Sequence, residues 1–152
     1  MQDTITVGSA VDLIDYSISN FQDGLKADYI EKMIFAINNN VQVRDYLIGL
    51  PASHPINECV EFLSYLSKSV DEQDRFAVDT VNAMYQYELG YIKKSIELIS
   101  NASTVNPEYS LASLITRVIT AGWPSNSFAT MRSELVDKVV DKLKEISDEE
   151  IC

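Results

Sequence analysis

The chain has 152 residues, a hydrophobic fraction of 46% and a formal charge of −11, from 23 acidic and 12 basic side chains. That length and apolar content suit one globular domain with a real core, and they exclude an intrinsically disordered chain. The charge disfavours direct binding to nucleic-acid phosphates or to an anionic membrane surface, both of which call for Lys and Arg. No apolar run approaches the roughly 20 residues that cross a bilayer. The acidic start MQDTITVGSAVDLIDYS lacks the basic-then-apolar order of a secretion signal, so cytoplasmic residence is expected. With only 5 Gly and 4 Pro there is little material for tight β-turns, and an all-α fold follows.

In chain order, the opening MQDTIT is expected to fray. Ser9 caps a first helix whose face is Val11, Ile14, Ile18 and Phe21, and Gly24 closes it. Asp28 caps a second, burying Ile30, Met33, Ile34 and Ile37. Asn38, Asn39 and Asn40 interrupt the pattern, because Asn competes for backbone hydrogen bonds. Asn40 then caps a short helix over VQVRDYLIGL with Val43, Leu47 and Ile48 inward. Within it Arg44 is read as pairing a carboxylate or a helix end rather than contacting an anionic ligand. GLPASHP is the clearest loop. Pro55 opens the next helix, with Val60, Leu63 and Leu66 inward and Phe62 nearby.

A hydrophilic link, SVDEQDR, leads into three consecutive helices between Arg75 and Gly122. Ala77, Val78, Val81 and Met84 share one face, and Gly90 ends that run. Ile92, Ile96, Ile99 and Ala102 restart the period. Asn106 and Pro107 are placed as cap and first residue of the third helix, lined by Leu111, Leu114, Ile115, Val118 and Ile119 and stopped by Gly122. Turns this short favour antiparallel neighbours. Trp123-Pro124 makes a bend, and the only Trp is expected to anchor the last helix on the core. That helix, about residues 127–147, is amphipathic, with Leu135, Val136, Val139, Val140, Leu143 and Ile146 on its apolar face. It docks on its own domain or on a second copy, and docking on its own domain is favoured. The expectation is one compact all-α domain over residues 1–152, with about seven or eight helices and a repeat-like hairpin at its centre.

Two resemblances meet in the central stretch. Leu89, Gly90 and Ala102 fall at the relative spacing of the leucine, turn glycine and small packing residue of a tetratricopeptide repeat. Gln86, Lys93 and Leu114 stand where that repeat has Trp, Tyr and Pro, so the hairpin is repeat-like rather than a repeat array. The second is carried by Val43-Arg44-Asp45, Gly90, Asn106-Pro107-Glu108-Tyr109, Leu111-Ala112 and Ala121-Gly122-Trp123-Pro124. In their order and spacing these resemble the C-terminal helical half of the actinobacterial domain-of-unknown-function 4192 family, over about residues 28–125. The family's N-terminal α/β half, with its Pro-Tyr-Leu and Gly-Phe signature, has no counterpart in this sequence. The resemblance implies an actinobacterial or phage setting and no catalytic residues.

Chemistry is sparse. Cys59 and Cys152 lie far apart and are expected as free thiols in a reducing cytosol. His54, the single histidine, is near Cys59 in sequence, but no flanking motif supports a nucleophile–base pair. Structural zinc wants about four Cys or His ligands, more than this chain offers. No calcium-binding or phosphate-cradling loop is present, and Glu58 with Glu61 reads as a wet helix face. No catalytic, cofactor-binding or metal-binding residue is assigned, and an enzyme is not expected.

The aromatic residues Tyr85, Tyr87, Tyr91, Tyr109 and Trp123 offer an interface or the edge of a core, since tyrosine combines contact area with a polar tip. The preferred reading is a non-catalytic protein-binding or assembly module, with self-association open. The alternative is an acidic inhibitor or decoy that occupies a basic surface of a nucleic-acid-binding or host-defence protein. Acidity that serves solubility alone is the simpler account of the charge.

Overall fold

Apolar residues three and four apart along the chain converge on one shared core, supplied by eight α-helices among residues 4–152, which the computed structural model describes. The helices are α1 Val7–Asn20, α2 Ala27–Asn39, α3 Val41–Gly49, α4 Ile56–Lys68, α5 Phe76–Glu88, α6 Ile92–Val105, α7 Ser110–Thr120 and α8 Ser127–Glu145. The all-α expectation and its helix number hold. Asn40 caps α3 as read, its side chain accepting from the Val43 N–H at 3.0 Å. Gly90 and Gly122 close α5 and α7 in the left-handed region, with φ of 86° and 68°. No helix among the described residues is long and apolar enough to cross a membrane.

At the centre lies α5, enclosed from Ala77 to Tyr87 by neighbours that include α2, α3, α4, α6, α7 and α8. Periodicity assigned it one apolar face, yet Asp79, Thr80, Asn82 and Gln86 are buried as well. Their polar atoms are paired: Ser67 Oγ donates to Asp79 at 2.9 Å, Thr80 Oγ1 to the Phe76 carbonyl at 2.7 Å, and Asn82 Nδ2 to Ser64 Oγ at 3.4 Å. Such pairing offsets much of the desolvation, so a polar stripe can face protein.

Several local expectations shift. Thr6, not Ser9, caps α1, accepting from the Ser9 N–H at 3.1 Å. α2 starts at Ala27, and Asp28 sits in its first turn, where a negative charge suits the helix dipole, paired to Lys32 at 3.1 Å. The inner face of α6 is Ser95, Leu98, Ile99 and Ala102, leaving Ile92 and Ile96 exposed. Ser95 causes the rotation: its hydroxyl donates to the Ala83 carbonyl at 2.7 Å, a close approach that small side chains permit. Residues 106–109 form a turn, with the Tyr109 N–H on the Asn106 carbonyl at 3.1 Å, so α7 begins after Pro107. Tyr109 packs edge-on against Phe76 at 4.9 Å, which fixes that turn.

The frayed start expected over Met1, Gln2 and Asp3 lies outside the described residues. Ile5 and Thr6, also expected to fray, instead form a strand. This strand, β1 Ile5–Thr6, pairs antiparallel with β2, Glu150–Ile151, and Ile5 and Ile151 are buried. The Val7 and Gly8 N–H groups donate to the Glu149 and Ser147 carbonyls, each at 2.9 Å. A Cβ at Gly8 would lie 3.0 Å from the Ser147 oxygen, so glycine lets the two ends close together.

Candidate functional site

An apolar concavity lies between α7 and α8. Helix α7 has a strongly apolar face, with Leu111, Ile115 and Val118 on the core. Helix α8 carries the expected apolar stripe, but of that stripe only Leu143 is fully buried. The two helices make almost no contact with each other, because α8 leans onto α3 and α5 instead. The result is a cleft of about 600 Å³, floored by Ile48, Leu50 and Met84 and walled by α7 on one side and α8 on the other. Its size lies within the common range for ligand sites.

Three features hold the start of α8 and the bend before it against α3 and α5. The Tyr87 hydroxyl donates to the Trp123 carbonyl and pins the bend between the helices. Phe128, in the first turn of α8, meets the Tyr87 ring edge-on at 5.7 Å. Arg132, buried on α8, donates through Nε to the Ile48 carbonyl at 2.8 Å and through Nη2 and Nη1 to Glu88 at 2.9 and 3.3 Å. This forked pair ties α8 to the ends of α3 and α5. Met131, Leu135 and Val139 of α8 line the cleft, Met131 and Val139 also packing on the core and Leu135 exposed.

The rim is itself apolar and wet. Leu114 on α7 is 46% exposed, Leu135 on α8 40%, and Trp123 at the bend 53%. Isolated exposed hydrophobes are ordinary, but these three line one concavity, which makes it the candidate site.

The aromatic residues singled out in the sequence do not form one surface. Tyr85 is fully buried and donates its hydroxyl to the Leu47 carbonyl, and burial raises its pKa well above the ordinary phenol value. Tyr87 is buried through its contacts with Trp123 and Phe128. Both lie inward because α5 is enclosed, so neither can present a face to a partner. Tyr109 is half-buried against Phe76, and burial raises its pKa despite the neighbouring Arg44 guanidinium. Arg44 itself pairs with Asp45 at 2.9 Å, in line with the structural reading. Tyr91, 60% exposed, stands alone at the start of α6. Trp123 does not anchor α8 through its ring; its carbonyl makes that contact, and the indole stands at the rim. Sequence reasoning passed over Leu114, Met131 and Arg132 as site residues. The one available signal was an α8 stripe wider than a single docking contact needs.

Cys59 and His54 do not form a reactive pair. The Cys59 thiol is fully buried, donates to the His54 backbone carbonyl at 4.0 Å, and is pushed up to about 12 by burial, with Glu58 adding to the shift. It is therefore a protonated core thiol at neutral pH. Cys152 is free and exposed. Among the described residues no group of three or more His, Cys, Asp or Glu is placed to hold a metal.

These features define an all-α domain with an open apolar cleft. No family model, curated protein or solved structure matches the chain.

Proposed function

We propose that the chain is a non-catalytic binding module that receives an apolar segment of a protein partner in the α7–α8 cleft. The supporting observation is the exposed apolar rim of Leu114, Trp123 and Leu135, on both sides of a cavity of about 600 Å³. Leaving that surface in water is unfavourable, and covering it gives a partner a hydrophobic driving force of about 25 cal/mol per Å². The setting proposed with it is cytoplasmic, actinobacterial or phage. It rests on the motif residues that resemble the 4192 family, among them Gly90 and Gly122 at their left-handed turns.

The decoy reading retains one observation in its favour, the charge of −11. Affinity capture from source-cell lysate at low and high salt, with Leu114→Gln and Leu135→Gln alongside, separates the two. A partner held at high salt by the parent chain and lost by both variants supports the cleft. A basic partner that salt releases, held equally by parent and variants, supports the decoy, because screening weakens contacts between exposed charges.

A further inference from the structure

We draw no further inference here: the strongest candidate, the apolar cleft between α7 and α8, belongs to the site already described, and with its charged lining residues Asp45 and Arg132 both paired, nothing in the structure shows what covers it.

Discussion

Arg132 is the polar hinge of the cleft, and removing it is the sharpest test of why α8 sits where it does. Arg132→Met keeps the length and apolar stem of the side chain but deletes three hydrogen bonds, two to Glu88 and one to the Ile48 carbonyl. Glu88 would then hold its charge with only 16% of its side chain exposed. Breaking a buried pair from one side costs about 3–5 kcal/mol, and the partial access of water to Glu88 places this case near 3. For a chain of this length that corresponds to a fall in Tm of about 6–12 °C. Urea unfolding followed by circular dichroism at neutral pH measures it. Adding Glu88→Leu should recover all but about 1 kcal/mol, because the Ile48 carbonyl still lacks its donor. A loss below about 1 kcal/mol in Arg132→Met, or a double variant no more stable than the single one, would refute the idea that this pair positions α8.

Burial raises the pKa of Asp79, only partly offset by the Ser67 hydroxyl and by Arg75 and Lys94. The folded chain therefore binds this proton more tightly than the unfolded one, and the Asp79 contribution to stability declines as pH rises from the normal carboxyl range through the raised value. Asp79→Asn should be more stable than the parent at neutral pH, with the difference vanishing in acid; denaturant midpoints across pH check this. Cys152 should react quickly with a thiol reagent in the native chain while Cys59 waits for unfolding, and two fast thiols would contradict the burial of Cys59. Gly90→Ala should cost about 1–2 kcal/mol in thermal unfolding, since alanine is strained in the left-handed region. No atom lies within 4 Å of the added Cβ, so the loss is conformational rather than steric.

Local chemistry sufficed for much of the architecture. Helical spacing located all eight helices, because an amphipathic period is written in contiguous residues and needs no tertiary partner. The left-handed glycines and the Asn40 cap were legible for the same reason: each reflects backbone geometry within a turn or two. Where polar residues are buried, periodicity failed. The inward side of α5 and the rotation of α6 depend on hydroxyl–carbonyl pairs such as Ser95 with Ala83, whose partners lie on another helix. The closure of the two ends depends on Ile5 meeting Ile151 across nearly the whole chain, which no local window contains. The cleft is the clearest case. Sequence alone identified an apolar stripe on α8 and another on α7, but an apolar stripe does not name its partner. The Arg132 fork to Glu88 and Ile48, with the Tyr87 contacts to Trp123 and Phe128, all made between residues far apart in sequence, holds α8 against α3 and α5 and leaves part of both stripes open. Which hydrophobic residues become core and which become a binding surface is decided by how helices are oriented, and orientation is set by contacts between distant residues rather than by the residues alone.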